Sequence, residues 1–174
     1  RIDRRRGFTT HSGQDAPDAA VFNEPRYVDY VTGCLFLVRA SLFEKIGLLD
    51  ESLFMYAEEL EFCLRARRAG HRCFYEPGSV ISHRVSRSLG GAYRPVYYYY
   101  LTRNLLEVYR RHLGASRLSA TTWKLSRFLV VYQSYMLVRA HRLGAGPYLA
   151  AVWQGLFDFL GGRFGERRQG RPER

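Results

Sequence analysis

Gly47-Leu-Leu-Asp-Glu-Ser-Leu-Phe-Met-Tyr-Ala-Glu-Glu-Leu-Glu-Phe-Cys-Leu-Arg-Ala-Arg-Arg-Ala-Gly70 is the most informative stretch of this 174-residue chain. Residues 50–55 read as a connection. A helix is expected over 56–69, because Leu60, Cys63, Leu64 and Arg67 share one stripe at helical spacing. Glu61 stands four residues before Arg65, a favourable helical pair, and Gly70 supplies the stop. Three carboxylates, Glu58, Glu59 and Glu61, crowd the first turn, where unsatisfied N–H groups and the helix dipole favour negative charge. A capped, solvated helix start explains them, and so does a site that needs carboxylates.

Working outward, residues 28–39 are rich in Val, Leu, Phe and Tyr and break at Thr32-Gly33. That pattern predicts a strand, a turn and a buried strand. Ser41-Leu-Phe-Glu44 fits a capping box, and Gly47 fits the end of a short helix. Downstream, residues 73–75 and 80–82 read as short strands separated by Glu76-Pro-Gly78. From Pro95 the pattern is helical: one helix to Gly114, a second over 119–143, and a third from Pro147 to Gly161-Gly162. The tail from Arg163 is expected to fray. The organisation expected is therefore a loop or linker at 1–26, an α/β part at 27–90, a basic amphipathic helical extension at 91–165, and a flexible tail at 166–174.

The chain is 47% hydrophobic and 25% charged, an ordinary globular mix that suits one domain. Collagen, long-range disorder and a disulfide scaffold are disfavoured. Its formal charge of +11 is lopsided: residues 1–90 hold 13 basic and 12 acidic groups, residues 91–174 hold 14 and 4. An excess confined to one half points to an anionic partner: a membrane surface, nucleic acid or a phosphorylated substrate. Cys34, Cys63 and Cys73 form no CxxC pair, which argues against a zinc site and for reduced thiols. No window has the roughly 18–20 apolar residues of a spanning helix.

As a set, these motifs resemble the inverting glycosyltransferases of family 2, rhamnosyltransferase-like members with the GT-A fold. The family pattern is Gly-Phe-Asp-Glu, an aromatic pair with Tyr, then Glu-Asp-x-Asp-Leu-x-x-Arg and a later Gly. Gly33-Cys-Leu-Phe-Leu-Val-Arg39 resembles its Gly-to-Arg strand. Pro77 and His83 match its Pro and His, with Ser86 and Ser88 in the loop that follows. Tyr100-Leu-Thr-Arg103-Asn104 resembles its Arg-Asn helix, and residues 154–165 its usual end. The resemblance spans about residues 27–165 and corresponds to the carboxy-terminal portion of such enzymes. It implies an α/β fold: a partial GT-A-type mixed sheet with flanking helices, followed by a C-terminal helical extension.

The resemblance also implies chemistry. Inverting sugar transfer needs a base for the acceptor hydroxyl proton, and a carboxylate within hydrogen-bond reach serves. The family's Asp falls at Glu59, where Glu moves the carboxylate outward by about 1.5 Å. Glu58, Gly33 and Tyr56 match the acceptor side, while Glu61 and Arg65 read as structural. Arg87 and Arg103, with Arg84 and Arg94 as further candidates, would contact the donor diphosphate. His83 would complete a metal site or touch the diphosphate. A divalent cation, Mg²⁺ or Mn²⁺, would neutralise the leaving group. Family members hold that cation mostly through an Asp-x-Asp motif in an amino-terminal half of roughly 90–120 residues. No match to that half is present here; Asp15-Ala-Pro-Asp18 has the wrong spacing. The expectation is an enzyme portion that has no turnover and weak nucleotide affinity alone.

The partners implied are a nucleotide-sugar donor, a glycan or lipid-linked acceptor, and an anionic membrane surface. The expected location is cytoplasmic, on the inner face of the cell membrane. The alternative is a non-catalytic peripheral membrane-binding module: Arg127, Arg139 and Arg142 flank an apolar stretch, and Trp123, Tyr132, Tyr135, Tyr148 and Trp153 are interface-favouring residues. Nucleic acid is disfavoured as a partner, since Tyr97, Tyr98, Tyr99 and Tyr100 on a helix face all directions rather than forming a stacking platform.

Overall fold

The computed structural model describes residues 2–3, 8–13, 16–83, 94–112, 135, 144 and 146–167. Among them the strands are β1 (Ile2–Asp3), β2 (Phe8–Thr9), β3 (Arg26–Val28) and β4 (Cys73–Tyr75). The helices are α1 (Ala40–Ile46), α2 (Glu58–Arg68), α3 (Pro95–His112) and α4 (Gly146–Leu160), with short 3₁₀ turns at Ala20–Phe22 and Glu51–Leu53. The expected helix over 119–143 lies outside the described residues, apart from Tyr135.

The chain is mixed α/β, but the described strands form two separate antiparallel ladders rather than one mixed sheet. Ile2 stands opposite Thr9, and Tyr27 opposite Phe74. The segment 1–26, expected as loop, thus contributes a small ladder. Residues 33–39 and 80–82, expected as strands, run as turns and irregular chain. An extended segment needs a neighbour for its backbone N–H and C=O groups, and no described strand lies alongside either. Several of their side chains stay outside, Leu37 at 97% and Val80 at 84% exposed, although Phe36 packs against the core.

Local chemistry explains the helix ends. Gly47 and Gly70 adopt φ of 83° and 86°, the conformation that glycine takes without a Cβ penalty. The capping box at Ser41 does not form: the N-cap is Arg39, two residues earlier, with no side-chain cap. α2 starts two residues later than its periodicity predicts. Phe54, Tyr56 and Ala57 have φ of 61°, 66° and 70°, and left-handed residues cannot continue a right-handed helix.

The main core joins Leu53, Ala57, Leu60, Cys63 and Leu64 to Leu105, Leu106 and Val108 of α3 and to Leu156 and Phe159 of α4. Residues on both sides of the expected 90/91 boundary therefore share one core. Burying each of these large aliphatic side chains contributes about 1.5–3 kcal/mol. α3 and α4 approach closely at Gly155, where a Cβ would lie 2.5 Å from the Tyr99 carbonyl oxygen. Across the same contact Tyr99 donates its hydroxyl to Asp158 at 2.7 Å. The chain after α4 does not fray at Arg163 as its composition predicts. Gly165 N–H donates to Ser52 O at 2.6 Å, and Arg167 N–H donates to the Tyr100 hydroxyl at 2.7 Å.

Candidate active site

Three consecutive features build the site: a strained loop at residues 54–57, the first turn of α2, and the loop around Gly33. The strain is held from beneath by α3. Asn104 Nδ2 donates to the carbonyls of Leu53, Met55 and Tyr56 at 2.7, 2.7 and 2.8 Å. Arg103 Nη2 donates to Leu53 O at 3.0 Å. Left-handed non-glycine residues persist only where surrounding contacts over-determine them, and such positions cluster at functional sites. Tyr56 then stacks edge-on against Tyr97, ring centroids 4.9 Å apart.

Ala57 offers no side chain to cap α2. The first-turn carboxylates take that role. Glu59 accepts hydrogen bonds from its own N–H, from Leu60 and, across the loop, from Gly33. Burial raises the Glu59 carboxyl above its ordinary value, the neighbouring Glu58 charge raises it further, and these hydrogen bonds only partly offset both. Glu58 is also raised by burial, and its Oε2 is buried without a hydrogen-bond partner. A carboxylate oxygen left unpaired is costly in a purely structural cap. Two adjacent carboxyls with raised pKa are stronger bases than an exposed carboxylate.

Glu58, Glu59 and Tyr56 lie within four residues of one another, and Gly33 lies against Glu59. Gly33 is not sterically required, since a Cβ there would lie 3.9 Å from Glu59 Cβ. Arg103 is a correction. Only 1% exposed, it spends its guanidinium on Leu53 O, Gly165 O, Asn104 Oδ1 and the Tyr99 hydroxyl. A diphosphate contact needs an accessible fork, so this arginine is an internal strut. His83 is exposed, and no hydrogen bond or ion pair joins it to Glu58 or Glu59. Arg84, Arg87, Ser86 and Ser88 lie outside the described residues. Among the described residues no three His, Cys, Asp or Glu side chains are gathered to hold a metal ion. Of the ligands expected for Mg²⁺ or Mn²⁺, the described residues include only His83.

Glu61 is structural, as its pattern predicts. It receives Arg65 Nε at 2.9 Å and lies 3.1 Å from His112 Nε2, locking α2 to the end of α3. Burial would raise its pKa, but these hydrogen bonds and the Arg65 charge lower it instead. Two contributors escaped the sequence reading. Tyr30, 7% exposed, lies near enough to feel the Glu59 charge, and its hydroxyl is 3.3 Å from His11 Nε2. Asn104 had a signal that was readable: an Arg-Asn pair inside an otherwise apolar helix is polar chemistry directed at the core.

Similarity to characterised proteins is confined to short segments. The chain is 56% identical over 41 residues to the low-salt glycan biosynthesis hexosyltransferase Agl10 of Haloferax volcanii, covering 24% of this chain and 13% of that protein. It is 34% identical over 67 residues to rhamnosyltransferase WbbL of Escherichia coli, covering 38% and 25%. It is 35% identical over 65 residues to the N-acetylglucosaminyl-diphospho-decaprenol L-rhamnosyltransferase of Mycobacterium tuberculosis, covering 37% and 21%. The matched segments therefore span a quarter or less of these relatives. No family model and no solved structure matches. Over the matched part of its length, the chain is similar to glycosyltransferases that transfer hexosyl and rhamnosyl groups in glycan and lipid-linked saccharide synthesis.

Proposed function

We propose that this chain is the acceptor-side part of an inverting glycosyltransferase, taking sugar from a nucleoside-diphosphate donor to a glycan or lipid-linked acceptor. The observation that carries the reading is Glu59: a carboxylate at a helix start, oriented by Gly33 N–H and raised in pKa by burial and by Glu58. Glu59 takes the acceptor hydroxyl proton as the acceptor oxygen attacks the anomeric carbon, and the nucleoside diphosphate leaves from the opposite face. Glu58 and Tyr56 orient the acceptor. Asn104 and Arg103 act indirectly by fixing the loop that carries Tyr56. A divalent cation, supplied by residues outside those described here, would neutralise the leaving diphosphate; no step above depends on it.

The test is Glu59→Gln in a full-length enzyme carrying this chain. Turnover should fall by about 10²–10⁴-fold while donor binding changes little. Near-normal turnover would remove Glu59 from the role of base.

One observation supports membrane contact as an added property of the same protein. Trp153, Phe157 and Leu160 stand exposed at helical spacing on α4, at 43, 57 and 61%, followed by exposed Arg163. Exposed apolar and aromatic residues on one helix face, with an arginine just past its end, suit an anionic interface. Among the described residues no helix is long and apolar enough to cross a membrane. Binding to phosphatidylglycerol vesicles should be lost with salt and weakened in Trp153→Ala.

A further inference from the structure

The thiols of Cys63 and Cys73 meet between α2 and β4. Cys63 is 1% exposed and lies one helical turn beyond Glu59. Cys73 opens β4 opposite Val28 and packs against the core cluster that contains Cys63. The Cys63 thiol donates a hydrogen bond to the Cys73 sulfur, and neither is disulfide-bonded. Cys34 is exposed and bonds instead to Thr32 Oγ1 at 2.7 Å.

The two thiols have different surroundings. Cys63 is enclosed, whereas Cys73 lines a cavity of about 510 Å³ together with Arg26, Arg67, His71, Arg72 and Asp29. Three guanidinium groups against one carboxylate make that opening favourable to anions. The hydrogen bond from Cys63 holds the Cys73 thiol below its ordinary range despite partial burial, with help from the Arg67 charge. The same hydrogen bond, with burial, pushes Cys63 up. A thiol that ionises readily beside an opening is a nucleophile; a buried protonated thiol in contact with it is placed to resolve the product.

We propose that Cys63 and Cys73 are a redox-active pair in which Cys73 attacks an anionic small-molecule disulfide at the cavity and Cys63 then closes a protein disulfide. With glutathione disulfide, Cys73 loses its proton to water and its sulfur bonds to one glutathione sulfur. The S–S bond of the reagent breaks, and one glutathione leaves and is protonated. The Cys63 sulfur then bonds to the Cys73 sulfur, the mixed disulfide breaks, and the Cys63 proton goes to the second departing glutathione. The protein has lost two electrons and two protons, and the reagent has gained them. The new bond ties α2 to β4 one turn from Glu59. This inference stands whether or not the chain transfers sugar.

The experiment uses the whole chain with Cys34→Ala, treated with glutathione disulfide without denaturant, then alkylated and analysed by mass spectrometry. The expected product is about 2 Da lighter than the reduced protein, with one peptide pair linked through Cys63 and Cys73 and full reversal by dithiothreitol. Adding Cys63→Ser should leave a stable glutathione adduct on Cys73. The proposal is overturned if Cys73 keeps its adduct while Cys63 is present. It is overturned equally if both thiols stay alkylatable under conditions that modify Cys34 in the unsubstituted chain.

Discussion

Asn104 Nδ2 lies 2.8 Å from the carbonyl oxygen of Tyr56, joining a fully buried helix residue to a backbone position with φ of 66°. The same amide reaches Leu53 O and Met55 O. Asn104→Ala leaves the Met55 and Tyr56 carbonyls without this donor, while Leu53 O keeps Arg103 Nη2. Leaving buried groups unsatisfied costs about 1–3 kcal/mol, and the loop would also be free to leave the left-handed region. The expected loss is about 2–3 kcal/mol, read as a lower urea midpoint. In an active full-length enzyme, acceptor KM should rise as well, because Tyr56 is no longer fixed. An unchanged midpoint would mean that the loop holds its shape without α3.

Gly155 supplies a second prediction, this time of packing alone. A Cβ there would meet Tyr99 O at 2.5 Å, Arg103 N at 3.3 Å and Thr102 Cβ at 3.3 Å. Two of these atoms are backbone and cannot rotate away, so Gly155→Ala must push α3 and α4 apart. Overpacking of this kind costs about 1–3 kcal/mol. Gly146 is the control, since a Cβ there meets nothing within 4 Å. Gly146→Ala should be neutral or slightly stabilising in the same thermal melt.

These two residues also mark how far the sequence could be read. Glu58 and Glu59 were legible as carboxylates at a helix start, whereas their roles and that of Gly33 came from the family resemblance alone. The Arg103-Asn104 pair was visible as a motif, but the carbonyls that Asn104 clamps were not, because they lie about fifty residues away in the chain. Positive φ at Phe54, Tyr56 and Ala57 was also hidden: glycine or asparagine normally signals it, and here tertiary hydrogen bonds impose it. Arg103 was expected at the donor diphosphate through the family resemblance, and its burial beneath the loop was not visible in the sequence. Residues 33–39 have strand composition but no described partner strand, and composition alone does not supply one.

Glu61 gives a prediction in acid. Its folded-state pKa lies below the ordinary 4.5, so the folded protein binds its proton more weakly than the unfolded chain does. The stability it contributes is complete above 4.5 and is lost as pH falls through the depressed value. Glu61→Gln should therefore cost about 3 kcal/mol at neutral pH, since it leaves Arg65 and His112 without their buried carboxylate. The cost should shrink below pH 4.5, where the native carboxyl is itself becoming neutral. Denaturation curves of both proteins at pH 7 and pH 3.5 would measure the difference. An equal cost at both pH values would show that packing, not charge, is what Glu61 provides.

Glu59 predicts the opposite sign. Its pKa is raised, so the folded state holds the proton more tightly than the unfolded chain, and stability falls as pH rises from 4.5 through the folded value. Above that value the ionised carboxylate is a standing cost to the fold. Glu59→Gln removes it while keeping the shape, so the variant should melt higher than the native protein at neutral pH and equally near pH 4. The same substitution should slow an active full-length enzyme by about 10²–10⁴-fold, and the acid limb of the native rate profile should lie above 4.5. A more stable, slower protein is what a carboxylate kept for proton transfer requires, because its burial opposes folding. Glu59→Gln melting lower at neutral pH would instead mean that the hydrogen bonds from Gly33 and Leu60 outweigh burial, and that Glu59 is chiefly the cap of α2.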